Sequence, residues 1–231
     1  MNQNNNVDIK RNPFWSVKYR HILLILACFT IVTALTIAGL FKNLDTFLLE
    51  FFKNVPRNPQ SDLFIIIVTT LSDTINLMIA GFIILIIKRT RRFGLLMLIS
   101  LVISTIVVTY AKPLFSANQI PDTVVFKPLV KLPDKFTLEK DSFMPFSQNY
   151  SYPSNHLASI SAFCFIIGGL LYSKSSISAK GFIIFFPMLI GITKLYLLQM
   201  YFSDVIGGCI LGLLISSLLI KITKIDSIVK Q

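Results

Sequence analysis

Three short polar segments interrupt a chain that is otherwise strongly apolar. They are Lys112-Pro113, Tyr152–His156 and Thr193–Asp204. Lysine ammonium groups attract phosphate oxygens, and the free N–H groups at a helix N-terminus favour an anion. His156 is one of two histidines in the chain, and an imidazole can donate a proton near neutral pH. These residue types predict a phosphate site with a proton donor.

Each of these residues also has a purely structural interpretation. Lys112 and Lys194 are typical of membrane interfaces, where lysine side chains reach the head groups. Pro153-Ser154 is a common start of a helix, and Asp204 can cap the helix that follows it. Their joint occurrence at the ends of separate apolar segments favours a shared site.

The apolar segments predict an all-α, polytopic membrane protein with a six-helix transmembrane bundle. Hydrophobic residues make up 54% of the 231 residues and charged residues only 14%, against roughly a quarter charged in soluble domains. A membrane-spanning helix needs about 20 apolar residues. Six runs approach this length: Ile22–Phe41, Leu63–Ile87, Phe93–Tyr110, Leu157–Tyr172, Gly181–Leu198 and Val205–Ile220.

Two of these runs leave alternatives open. The first follows a basic segment, but it is too long for a signal peptide and lacks a clear cleavage site, so we interpret it as a retained span. The second is interrupted by Ser72, Asp73, Thr74 and Asn76, which also fits an interfacial stretch, Leu63–Leu71, before a shorter span. An acid inside a span raises a transporter hypothesis, but no second acid lies in the runs to form a relay.

Charge predicts the orientation. Six spans place 13 Lys and Arg residues with only two acids on one face, a net charge of +11, and the rest of the chain has nine bases and nine acids. By the positive-inside rule that face is cytoplasmic. The termini, 1–20 and 223–231, are then cytoplasmic tails, residues 21–222 form the membrane domain, and the polar segments face outward. The charge has this topological explanation, and no nucleic-acid motif is present.

The polar segments resemble the type 2 phosphatidic acid phosphatase superfamily of membrane lipid phosphatases. Its motifs are Lys-x6-Arg-Pro, Pro-Ser-Gly-His and Ser-Arg-x5-His-x3-Asp. The second matches Pro153–His156, and the third matches Thr193–Asp204 in spacing, with six positions from Lys194 to Met200 and four more to Asp204. The first motif is partial. Lys112 is present, but Gln119 stands at the arginine position and proline comes late, at Pro121.

The resemblance implies a role for each matching residue. Lys112, Ser154, Asn155 in place of glycine, and Lys194 in place of arginine would bind phosphate. His156 would protonate the leaving alcohol, and Asp204 would orient the nucleophilic histidine. That nucleophile is replaced by Met200, whose thioether cannot be activated for attack. Asp204 would then lack an imidazole partner and be free to pair with Lys194.

Two functions remain open on this basis. One is a catalytically impaired relative that binds a lipid phosphate or pyrophosphate or supports a protein partner. The other is an active phosphatase or phosphotransferase, in which Asp204 activates water and His156 is the acid. The loop 113–151 could cap the site, select the head group, dock a partner or simply connect two spans. The expected location is a bacterial inner membrane, and no cofactor or metal site is predicted, since Cys28, Cys164 and Cys209 lack metal-ligand spacing.

Overall fold

The computed structural model describes residues 17–115, 126–133, 138–139, 141, 144–172 and 176–223. These residues form eight α-helices and one short 3-10 turn, Pro145–Ser147, so the all-α prediction is confirmed. The helices are α1 Tyr19–Ile37, α2 Lys42–Asn54, α3 Pro59–Thr70, α4 Thr74–Ile86, α5 Arg91–Phe115, α6 Asn155–Tyr172, α7 Ser176–Tyr196 and α8 Phe202–Thr223.

The long helices identify an integral membrane protein. Within the described residues, α1, α5, α7 and α8 are long and apolar enough to cross a bilayer, and α6 is apolar but shorter. Helices α3 and α4 pass the same test as a pair bent by 54°. The bend lies at Leu71–Asp73, which agrees with the predicted interruption of the second run.

Helix α2 was not predicted from the sequence. It connects the first two apolar segments and exposes Leu44, Phe47 and Phe51, which recur at helical spacing and share one side. Its other positions include Lys42 and Glu50. A short helix with one apolar and one charged side is typical of a segment that lies along the membrane interface. Its charged residues interrupt the apolar pattern, so a search for apolar runs does not find it.

Helix α6 lies at the centre of the bundle, packed between α5, α7 and α8. The backbone of α6 approaches α8 so closely that α8 needs glycine at the points of contact. A methyl group at Gly208 would lie 2.6 Å from the carbonyl oxygen of Ser154, and one at Gly212 would clash with that of Ala158. The N–H of Ser154 also donates to the carbonyl of Asp204, at 3.2 Å. The start of α6 is therefore fixed against the start of α8.

The described part of the long loop is attached to the helices through Asp62. This buried carboxylate pairs with Arg57 at 2.6 Å and accepts hydrogen bonds from the Leu129 N–H at 2.8 Å and the Tyr196 hydroxyl at 2.9 Å. The Arg57 guanidinium also lies 4.1 Å from the ring centre of Phe126. The loop begins later than predicted, because α5 continues through Pro113 to Phe115.

Candidate anion-binding site

The start of α6 presents free N–H groups. Ser154 precedes the helix and its hydroxyl accepts the N–H of Leu157 at 3.2 Å, which is the usual geometry of a serine N-cap. Asn155 and His156 occupy the first two helical positions, where backbone N–H groups have no partner within the helix. Ser154 therefore starts the helix and also lies beside the free N–H groups that can bind an anion, so the two interpretations of this residue are compatible.

A carboxylate from the long loop, Asp141, occupies this position. Its oxygens accept the hydroxyl of Ser154 at 3.1 Å and the N–H groups of Asn155 at 3.1 Å and His156 at 3.0 Å. The Nδ1 atom of His156 lies 2.8 Å from Oδ1, and the ammonium of Lys112 lies 2.7 Å from Oδ2. We call Lys112, Ser154, Asn155 and His156 the anion site.

The charge state of Asp141 follows from these contacts. Burial alone would raise the pKa of its carboxyl, but the charge of Lys112 and the hydrogen bond from His156 outweigh burial and hold the pKa well below its usual range. The carboxylate is therefore ionised and can only accept hydrogen bonds. It follows that Nδ1 of His156 carries a proton.

Lys194 lies next to the anion site in the last turn of α7. Its side chain is fully buried, and among the described residues its ammonium has no hydrogen-bond partner. It interacts electrostatically with Asp73, Asp141 and Glu139. A buried ammonium without a hydrogen-bond partner is costly.

The other ring nitrogen of His156 faces two acids. Nε2 lies 3.5 Å from Glu139 Oε2 and 3.9 Å from Asp73 Oδ1. Glu139 is held by the N–H of Thr74, the first residue of α4, at 2.7 Å. Sequence reasoning missed the roles of Glu139 and Asp141 and assigned Asp73 only to a transporter hypothesis. The closely spaced acids Glu139 and Asp141 were the one available signal.

Asp204 has a structural role at the start of α8. Its carboxylate accepts the N–H of Tyr201 at 2.9 Å and the hydroxyl of Ser151 at 3.0 Å. The expected pairing with Lys194 is wrong, because both Asp204 oxygens are used locally, one in closing the first turn of α8. A carboxylate at this position of a helix commonly bonds back to the residue that precedes it.

Two of the departures from the family motifs, at the nucleophile position and at the end of the first motif, have different outcomes. Met200 is buried, with 3% of its surface exposed, and belongs to the main apolar core. Gln119 and Pro121, which replace the end of the first motif, lie outside the described residues.

Comparisons with known proteins identify the family and the fold. A family model described as the PAP2 superfamily matches residues 93–226. The fold is similar to a crystal structure described as the first transmembrane PAP2-type phosphatidylglycerolphosphate phosphatase from Bacillus subtilis. The TM-score is 0.66 with 22% sequence identity, and the alignment covers 88% of this chain and 96% of that chain. No curated protein matches the sequence significantly.

Proposed function

The chain belongs to the PAP2 superfamily, and we propose that it binds the phosphate group of a membrane lipid without the phosphohistidine chemistry that its motifs imply. One observation carries this proposal. Five donor contacts, from three side chains and two backbone N–H groups, converge on the single carboxylate of Asp141. A carboxylate has two oxygens, whereas a phosphate monoester offers three to the same donors.

The electrostatics of the anion site support a phosphate ligand. Lys112 and the N-terminus of α6 provide positive charge around Asp141. Lys194 adds a second ammonium that has no hydrogen-bond partner among the described residues. A phosphate that displaced Asp141 would gain the donors that Asp141 uses and could also reach this free cation.

The proposal that no histidine forms a covalent bond to the phosphate rests on Met200 and on the location of the second histidine of the chain, His21. His21 is exposed near the start of α1. Nearby Tyr19 packs under the ammonium of Lys221 at 4.9 Å, at the C-terminal end of α8. That end lies about 25 Å from Asp204 at 1.5 Å per helical residue. His21 therefore cannot replace the missing nucleophile.

The active alternative requires Asp204 to activate water next to His156. The described contacts of Asp204 are with Ser151 and Tyr201, and those of the His156 ring are with Asp141, Glu139 and Asp73. The two groups do not form a working pair in this arrangement. If the parent protein did hydrolyse lipids and His156→Ala left its turnover unchanged, the role of His156 as acid would also be wrong.

We place the anion site at the outer face of a bacterial inner membrane, with both termini in the cytoplasm. The cluster Lys88–Arg92 lies at the start of α5 and Lys112 near its end. Arg92 and Lys112 are about 30 Å apart along the helix, close to the thickness of the hydrocarbon core. The positive-inside rule assigns the Lys88–Arg92 end to the cytoplasm.

The long loop is proposed to cap the anion site rather than to dock a protein. Glu139 and Asp141 contact the starts of α4 and α6, and Leu129 is bonded to Asp62 of α3. These contacts turn the described loop residues toward their own helices. The named activity of the structural relative makes phosphatidylglycerol phosphate the first lipid to test.

The test combines binding and turnover on protein purified in detergent. Calorimetric titration with short-chain phosphatidic acid should show saturable binding that Lys112→Met abolishes, while Lys42→Met on the exposed surface of α2 leaves it unchanged. Phosphate release should be absent from phosphatidic acid, phosphatidylglycerol phosphate and a polyprenyl pyrophosphate. Robust release by the parent protein would overturn the non-catalytic proposal. Release by Met200→His alone would show that only the nucleophile has been lost.

A further inference from the structure

We propose that Asp73, Glu139 and Nε2 of His156 bind a divalent metal ion of the zinc type next to the anion site. The three residues come from the break between α3 and α4, from the long loop and from the first turn of α6. One ligand atom from each lies within 4.8 Å of the others. The three are called the acid–histidine cluster below.

The distances fit a metal ion better than they fit direct hydrogen bonds. An N–H···O bond has its optimum near about 2.9 Å, but Nε2 lies 3.5 Å from Glu139 and 3.9 Å from Asp73. Two ligands that each bind zinc at about 2.0–2.1 Å in a tetrahedral site are separated by about 3.4 Å. A small inward movement of Asp73 and Glu139 would therefore complete the site.

Unpartnered polar atoms point to the same ligand. Nε2 of His156, Oδ1 of Asp73 and Oε1 of Glu139 are buried and have no hydrogen-bond partner among the described residues. The His156 side chain is only 1% exposed, so water cannot readily solvate the free nitrogen. Buried polar atoms without partners are costly, and one shared cation would satisfy Nε2 and Asp73 Oδ1. Glu139 can offer Oε1, because its Oε2 already accepts the Thr74 N–H.

The opposite ring nitrogen of His156 is already arranged as in metal sites. Nδ1 donates to Asp141 at 2.8 Å, which fixes the ring and leaves the Nε2 lone pair for a ligand. Histidines that bind metals commonly donate their other N–H to a carboxylate in this way. Asp141 therefore orients His156 in addition to filling the anion site.

The charge balance favours a cation. With a neutral imidazole, the carboxylates of Asp73, Glu139 and Asp141 exceed the ammonium groups of Lys112 and Lys194 by one negative charge. A bound divalent ion changes the net charge of these groups from −1 to +1, which favours binding of an anion.

The donor set indicates which ion binds. One imidazole and two carboxylates are ligands that zinc accepts, and three protein ligands with an open fourth position are typical of accessible zinc sites. Magnesium prefers six oxygen ligands in a regular octahedron, so it should bind far more weakly. The sequence expectation of no metal site considered only cysteine spacing and did not bring these residues together.

The experiment is a calorimetric titration of the full chain, stripped with a chelator, with Zn²⁺ in phosphate-free detergent buffer. The expected result is one saturable site per chain, with Mg²⁺ producing little heat. Asp73→Asn and Glu139→Gln should each weaken Zn²⁺ binding by about 100-fold or more, since even outer-shell changes cost about 10–100-fold. Glu139→Gln removes the charge of this ligand but keeps an acceptor oxygen for the Thr74 N–H at the start of α4.

Matched controls separate this site from incidental binding. His156→Ala should abolish binding, whereas His21→Ala, which removes the only other histidine, and Glu50→Gln on exposed α2 should leave it unchanged. No saturable Zn²⁺ binding by the parent, or binding lost in His21→Ala and retained in Glu139→Gln, would overturn the proposal. The titration contains no lipid or phosphate, so its result is independent of the proposed function.

Discussion

Glu139 and Asp141, separated by one residue, bind the N-termini of two different helices. Glu139 accepts the N–H of Thr74 at the start of α4, and Asp141 accepts the N–H groups of Asn155 and His156 at the start of α6. Each carboxylate meets the positive end of a helix dipole. This short loop segment thus joins the bend of the α3–α4 pair to the anion site.

Asp141→Asn should raise the affinity for a phosphate anion. Asp141 is a resident negative charge that any phosphate must displace, and its removal leaves the donors of Lys112, Ser154 and the start of α6 in place. A charge-assisted bond contributes about 1.5–3 kcal/mol, so the affinity should rise about 10-fold or more. Calorimetric titration with short-chain phosphatidic acid measures this change.

The same substitution should lower the thermal stability of the protein without ligand, because Lys112 and His156 lose their anionic partner. Glu50→Gln removes an exposed acid of α2 and should alter neither quantity. An unchanged or reduced affinity in Asp141→Asn would show that the carboxylate assists phosphate binding and does not compete with it.

Gly208→Ala should disturb the anion site through the packing of α8 on α6. The added methyl would lie 2.6 Å from the carbonyl oxygen of Ser154 and 2.9 Å from the Leu157 side chain. Overpacking of this kind costs about 1–3 kcal/mol, and the shift of Ser154 should weaken phosphate binding as well. Thermal unfolding and calorimetric titration measure the two effects.

Gly181→Ala is the matched control. Gly181 also lies in a helix, α7, and a methyl there meets nothing within 4 Å. This substitution should leave phosphate binding unchanged and stabilise the protein by up to about 1 kcal/mol, since alanine favours the helix. Equal effects of the two substitutions would contradict the role of Gly208 in close packing.

The sequence was sufficient to predict the apolar helices, but not α2 or the contacts of the loop. Long apolar runs have few alternatives to spanning helices. The polar residues between Ser72 and Asn76 predicted the break between α3 and α4. Lys112 and Asp141 are 29 positions apart in the sequence, and no periodic sequence pattern between them predicts which side chain faces the site. The motif resemblance assigned Asp204 to orienting a nucleophile, whereas in the structure it caps α8, the structural interpretation that the sequence also offered.

Asp62→Ala should release the long loop from the helices. The substitution leaves the Leu129 N–H and the Tyr196 hydroxyl without their acceptor. It also removes the ionic partner of Arg57, which keeps its bond to the Lys127 carbonyl. Because Arg57 is partly exposed, we expect a loss of about 1–3 kcal/mol rather than the larger cost of a fully buried pair. Limited trypsin digestion should then cut faster at Lys127 and Lys131. Cleavage at the rate of a Glu50→Ala control would show that Asp62 does not hold the loop.

Lys194→Met should change the affinities for phosphate and for zinc in opposite directions. Lys194 has no hydrogen-bond partner among the described residues and interacts with three carboxylates. Its removal takes a cation from the anion site, so phosphate affinity should fall about 10-fold or more. The same change makes the acid–histidine cluster more negative, so Zn²⁺ affinity should rise. Two titrations measure this pair of effects, with Lys42→Met as the exposed control. A fall in both affinities would contradict the opposite effects assigned to Lys194 at the two sites.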